Sequence, residues 1–310
     1  MIINRCVPLG IMVACLTALD LHAARLGDPA APLSIKEWIK GKATDVKDGK
    51  NIYVVEFWAT WCGPCRVSIP HLTEVQARFK DKGVVVVGIS DETAEKVKPF
   101  VQGQGAKMDY IVAIDDERKT SRAYMEAFNQ NGIPHAFIVS KEGRVVWHGH
   151  PMDGMDKALE AIVAGRYDLE AAVKRDALRE QLEKYREVSR ENEAQARELG
   201  RKVLDSIGDS PEALCDFAFA VVTDMRARQR DFALADLALD RAEKAAGGKT
   251  HRALSIRGIS RFENGQPEEG MRLVREALQL STDQADKERY ENYLRIMEQR
   301  KAQLQAAPAR

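Results

Sequence analysis

Two cysteines three residues apart, Cys62 and Cys65, enclose Gly63-Pro64 and follow closely on the apolar run Ile52 to Phe57. Where a strand turns into a helix, such a pair sits on the first helical turn with both sulfurs on one side, within reach of a disulfide. The first sulfur faces backbone N–H groups that lack helical partners and the positive end of the helix dipole, which favour thiolate over thiol. The thiolate is the attacking species in disulfide exchange, and that is the chemistry this spacing offers. A zinc ion held by the same two cysteines would need two further ligands at usable spacing, and none is evident, so no metal is expected. Glu56, six residues before Cys62, is an acid inside a strand that otherwise reads as buried, and its presence needs a reason. His148 and His150 alternate along an extended segment and point to opposite sides, a poor shared ligand pair that reads as surface loop.

The elements that must position these residues lie between about Leu33 and Gly165. Runs rich in Val, Ile and aromatics mark strands at Ile52 to Phe57, Val84 to Ile89, Tyr110 to Ile114, Ala136 to Ser140 and Arg144 to His148. The last two form a hairpin across Lys141-Glu142-Gly143. Leu72, Val75 and Phe79 recur at helical spacing up to Gly83, a residue that takes the left-handed conformation a helix end often needs. Val97, Phe100 and Val101 mark a second helix and Met155 to Ala164 a third. Alternation of strand and helix predicts an α/β sheet domain.

After Tyr167 the chain becomes charged and rich in Ala and Leu, with almost no β-branched runs, and predicts an all-helical half in which Leu178, Leu182 and Tyr185 form one apolar stripe. Positions recur here at 35-residue offsets: Gly200, Ala235 and Gly270; Leu204, Leu239 and Val274; Ile207, Ala242 and Ala277. The last copy resembles the tetratricopeptide pattern, in which small residues let paired helices approach, although Arg261 stands where an aromatic is usual. A plain helical bundle is the alternative. Tyr290, Leu294 and Met297 would line a closing helix.

The 310 residues suit about two domains, and 47 basic residues balance 47 acidic ones, so no net field draws the chain to nucleic acid or an anionic membrane. Arg5, the apolar run Cys6 to Leu19 and the small residues Ala23-Ala24 have the layout of a secretory signal peptide. The expected organisation is a signal peptide over 1–24, an α/β domain over 25–165 and a helical domain over 166–306. Export to the periplasm follows, with cleavage near Ala23-Ala24. Lipid attachment at Cys15 is the weaker alternative, because Met12 stands where leucine is usual. A buried N-terminal helix or an uncleaved anchor is the other. Of five cysteines, Cys6 and Cys15 then leave with the signal, too few remain for a disulfide framework, and Cys215 in its apolar helical stretch reads as an inert buried thiol.

The segment Phe57-Trp58-Ala59-Thr60-Trp61-Cys62-Gly63-Pro64-Cys65, with Pro70, Gly132-Ile133-Pro134 and Gly143, resembles the thioredoxin superfamily and within it the exported TlpA-like thiol-disulfide oxidoreductases. The resemblance implies a thioredoxin fold, a central mixed sheet flanked by helices, ahead of the tetratricopeptide-like half. It implies that Cys62 is the exposed nucleophile, that Cys65 resolves the mixed disulfide, and that Ile133-Pro134 is a cis peptide whose backbone pairs with an incoming chain. Trp61, Gly63, Pro64 and Gly149 would complete the substrate surface. Glu56 would accept the proton of Cys65, or else extend to the rim and do nothing. His135 departs from the family, which usually has a small polar residue there. No cofactor is expected, because the sulfur pair stores the electrons. The partners implied are a protein carrying a disulfide, a membrane electron donor, and a protein docked on the helical half. The Gly-Pro pair favours reductase over oxidase. Two other readings stay open: a thioredoxin-fold peroxidase, for which the expected Pro-X-X-X-Thr-X-X-Cys run is absent, and a helical adaptor carrying a redox-inert domain.

Overall fold

Six strands build one mixed sheet in the first half of the chain, seen in a computed structural model that describes residues 24–306. In chain order they are β1 (Ile35–Lys40), β2 (Ile52–Phe57), β3 (Val84–Ser90), β4 (Ile111–Asp115), β5 (His135–Val139) and β6 (Val145–Gly149). Their spatial order is β1-β4-β3-β2-β5-β6. β2 lies at the centre, parallel to β3 and antiparallel to β5, and all six of its residues are buried. A strand covered on both faces has no polar side to show, which is why it reads as a continuous apolar run. β5 and β6 form the expected hairpin, with Gly143 at φ 69°.

β1 has no counterpart among the expected strands. Its sequence IKEWIK mixes charged with apolar residues, and it pairs only with β4 at the sheet edge, where none of its residues is fully buried. An edge strand needs one apolar face at most and so leaves a weak sequence signal.

Helices cover both faces of the sheet. α1 (Gly63–Phe79), α2 (Ala94–Gln104), the short α3 (Lys119–Ser121), which runs into a π-helical stretch over Arg122–Glu126, and α4 (Met155–Val163) complete this unit. One face carries a cluster in which Ile52, Val54, Ala136 and Ile138 of the sheet meet Cys65, Ile69 and Leu72 of α1, Val97 of α2 and Leu159 of α4. On the other face Phe57 and Phe137 meet Tyr124 and Phe128. Tyr124 is fixed there by donating to the Ala31 carbonyl at 2.7 Å. Asp115 accepts from the N–H groups of Thr120 and Ser121 at 2.9 and 2.8 Å, which starts α3 at the end of β4.

The chain divides between Leu169 and Glu170 into two compact units. The second contains α5 (Leu169–Glu191), which begins one residue before that boundary, then α6 (Glu193–Ser206), α7 (Pro211–Thr223), α8 (Phe232–Ala245), α9 (His251–Glu263), α10 (Pro267–Leu280) and α11 (Gln284–Ala306). Asn192, Ser210, Asp231 and Thr250 each cap the helix that follows by accepting from an N–H three residues on. The positions that recur every 35 residues fall on α6, α8 and α10, where Leu204, Leu239 and Val274 are buried, with Ile207 just past the end of α6. α9 and α10 touch backbone to backbone: a methyl on Gly258 would stand 2.7 Å from the Gly270 carbonyl oxygen, and one on Gly270 equally near that of Gly258. Tyr290 and Met297 of α11 close this core. The expected signal segment and its alternatives, Cys15 included, lie outside the described residues except for Ala24. Among the described residues no helix is long and apolar enough to cross a membrane.

Candidate active site

Cys62 is the N-cap of α1, in extended conformation at φ −76° and ψ 107°, and its Sγ accepts from the Cys65 N–H at 3.1 Å. Pro64 stands within the first two helical positions, where a missing N–H costs nothing. Cys62 and Cys65 are joined as a disulfide with their Cα atoms 5.3 Å apart. Cys65 has no exposure at all, in keeping with its recessed position. Cys62, expected to be exposed, is only 3% so in this oxidised form. Its sulfur bonds the buried Cys65, and the Ile133 carbonyl oxygen lies 3.7 Å from it.

The two segments thus brought together are 71 residues apart in sequence. Ile133-Pro134 is a cis peptide bond, with Ile133 half-buried and Pro134 buried at the head of β5. Trp61, Gly63 and Pro64 are exposed around the sulfur pair, Trp61 at 72%. Gly149 lies on β6 opposite Ala136. A methyl there would come within 3.1 Å of the Trp147 ring, so its small size serves strand packing whatever else it does.

The turn that presents Cys62 is held by two side chains without a motif of their own. Glu92, from the segment after β3, accepts from the Thr60 N–H at 2.6 Å and from the Thr60 hydroxyl at 3.0 Å. Arg66 of α1 donates to the Thr60 carbonyl through Nε and Nη2, at 3.2 and 2.8 Å, and lies over the Phe100 ring. Sequence reasoning missed both, because neither the spacing nor the residue type distinguishes them from surface charges.

Glu56 does not extend to the rim. It has no exposure, and neither carboxyl oxygen has a hydrogen-bond partner among the described residues. Alternation along β2 puts it on the same face as Ile52 and Val54, the face covered by α1 and Cys65. Burial alone pushes its pKa up to about 8, since a charge there would be stripped of water.

His148 is buried rather than in a surface loop, and it shares a 3.0 Å hydrogen bond with His135. Its position opposite Phe137 turns it inward, and its ring stacks on Phe137 at an interplanar angle of 15°. Two rings that bond each other satisfy polar atoms that would otherwise forbid burial. His150 is exposed. Cys215 is buried on α7, where burial pushes its thiol up to about 11. Among the described residues no three His, Cys, Asp or Glu side chains are grouped to hold a metal ion.

The model of the AhpC/TSA family matches residues 26–148. The thiol-disulfide oxidoreductase ResA of Bacillus thuringiensis is 35% identical over 130 residues, covering 41% of this chain and 70% of that protein. The thiol:disulfide interchange protein HelX of Rhodobacter capsulatus is 30% identical over 128 residues, covering 40% of this chain and 67% of that protein. The crystal structure of the thioredoxin domain of a thiol-disulfide oxidoreductase from Bacteroides vulgatus is 25% identical, with a TM-score of 0.40, and covers 45% of this chain and 99% of that one.

Proposed function

The chain belongs to the AhpC/TSA family of thioredoxin-fold proteins, among its thiol-disulfide oxidoreductases, and we propose that it reduces disulfides of partner proteins through Cys62 and Cys65. The observation that carries this reading is Cys62 at the helix N-terminus, its sulfur receiving the Cys65 N–H at 3.1 Å beside the Ile133 carbonyl. In the reduced protein the same N–H and the positive end of α1 stabilise a Cys62 thiolate.

The thiolate attacks one sulfur of the target disulfide, the Cys62–target bond forms, and the other target sulfur leaves as thiolate. Cys65, shielded from bulky partners, then gives its proton to Glu56 and attacks the Cys62 sulfur. The second target thiolate departs, and the Cys62–Cys65 disulfide remains. Two electrons have passed to the target, and no cofactor takes part. Trp61, Gly63 and Pro64 form the contact surface, with Gly149 buried on β6 behind it, and the backbone at Ile133-Pro134 pairs with the extended target segment. Gly-Pro between the cysteines gives the thioredoxin type of pair, with a potential of roughly −270 mV, reducing toward most exported surroundings.

The apolar N-terminal run supports export and cleavage near Ala23-Ala24, giving a thioredoxin-like domain over 25–165 and a tetratricopeptide-like domain over 166–306. Outside the cytoplasm the disulfide has to be recharged by a membrane electron donor. The helical half, with its glycine-tight pair α9 and α10, serves to dock the partner protein.

Trapping tests the exchange step. With Cys65→Ser, mixed disulfides at Cys62 accumulate in cells and are recovered on non-reducing gels, and they disappear when Cys62 is also replaced. Absence of adducts in the single variant would refute exchange by this route.

A further inference from the structure

Three buried polar groups without hydrogen-bond partners converge over one glycine. A methyl on Gly88 of β3 would lie 3.0 Å from Tyr110 Cε2, 3.1 Å from Trp58 Nε1 and 3.3 Å from Glu56 Oε2. The two Glu56 oxygens, the Trp58 indole N–H and the Tyr110 hydroxyl are each buried and unpartnered among the described residues. One orphaned polar group inside a core costs folding free energy, and native interiors hold few of them. Three around a single point suggest groups that serve one another in another protonation state.

Their chemistry is complementary. An indole N–H only donates, a phenol O–H donates readily, and an ionised carboxylate only accepts. The disulfide form holds Glu56 neutral, since no cation faces it. Its neighbours across the sheet, Gly88 and Ala136, carry no charge. The buried side chains of α1 are Cys65, Ser68, Ile69, Leu72, Val75 and Phe79, none of which carries a charge, since Cys65 is held in the disulfide. Those of α2 and α4 are apolar. Tyr110 senses the acid: burial and then the Glu56 charge raise its phenol well above the usual range.

We infer that Trp58 and Tyr110 form a two-donor hole that receives the Glu56 carboxylate when it ionises, with Gly88 present because any side chain there would fill the space. The inference rests on the reading of Glu56 as a base and deepens it. A base must be ionised to accept a proton, and a carboxylate in this core is reachable only if donors turn onto it. Trp58 and Tyr110 are positioning residues in this scheme and touch no reacting sulfur. Tyr110, Trp58 and Glu56 all pack over Gly88, so the acid and the two donor side chains share one buried space.

The test follows Glu56 itself. In the oxidised full-length chain the infrared carboxyl band is titrated with pH and assigned by its loss in Glu56→Gln. In Tyr110→Phe, which keeps the ring and removes one donor to a charged group, the midpoint rises by about one to two pH units; a midpoint that does not move overturns the inference. Should that variant fail to fold, the Trp58 indole N–H resonance of the unaltered chain decides. It shifts with the Glu56 midpoint and stays still in Glu56→Gln if the hole exists, and a resonance indifferent to pH refutes it. The base reading fails by a different result, an unchanged pH profile of disulfide exchange in Glu56→Gln.

Discussion

Glu56→Gln should gain stability relative to the parent as pH rises, because it removes the cost of a buried acid. The native carboxyl keeps its proton up to about pH 8, whereas in the unfolded chain it ionises near 4.5. Between those values the native state binds more protons than the unfolded one, so the stability of the parent falls as pH rises through that window. For one group with these two values the loss is less than about 1 kcal/mol at pH 5, about 3 at pH 7 and about 4 at pH 8. Glutamine keeps the shape and cannot ionise, so it removes this dependence. The stability difference between variant and parent should therefore widen by about 3 kcal/mol from pH 5 to pH 8, whatever pH-independent offset the amide adds. Urea melts at a series of pH values measure it. The oxidised form is used so that Cys62 and Cys65 do not titrate. All four tryptophans, Trp38, Trp58, Trp61 and Trp147, lie in the sheet unit, so their fluorescence reports that unit alone. Profiles that run parallel for variant and parent would show Glu56 titrating as an ordinary acid and would refute the reasoning from burial.

Two further outcomes follow from packing. Gly270→Ala places a methyl 2.7 Å from the Gly258 carbonyl oxygen and 2.8 Å from Phe262. The gain in helix propensity, about 1 kcal/mol, is outweighed by overpacking of about 1–3 kcal/mol or more, and circular dichroism melts of the full chain should show the helical transition at lower temperature; an unchanged or higher transition would contradict the close approach of α9 and α10. The Cys215 thiol, buried and held up to about 11, should stay unreactive at pH 8 in the folded reduced chain, so that an aromatic disulfide reagent counts two fast thiols in a chain spanning 24–306 and the third only after denaturant. Three equally fast thiols would show that the α7 core is open.

The site and the fold were legible in the chain to different degrees. The cysteine spacing, the strand before it and the helix after it are local features, and local features survive translation into sequence. That is why the central strands, α1 and the cysteine pair could be placed from residue types alone. β1 escaped because an edge strand buries little and its charged residues hide the period. Glu92 and Arg66 escaped because their work is a contact with Thr60 that only the folded turn creates.

Residue types and their spacing set the chemistry available: two thiols one turn apart, an acid in a buried strand, and a small-residue pattern that lets helices pair. Assembly of the fold governs how the environment uses that chemistry. It set Cys62 beside Ile133, paired His135 with His148 across two strands, and left Glu56 with two unpartnered donors over Gly88. The reason is physical: side-chain type and short-range periodicity are written residue by residue, whereas burial and proton affinity depend on which distant segments share a face, and that is settled only when the sheet assembles.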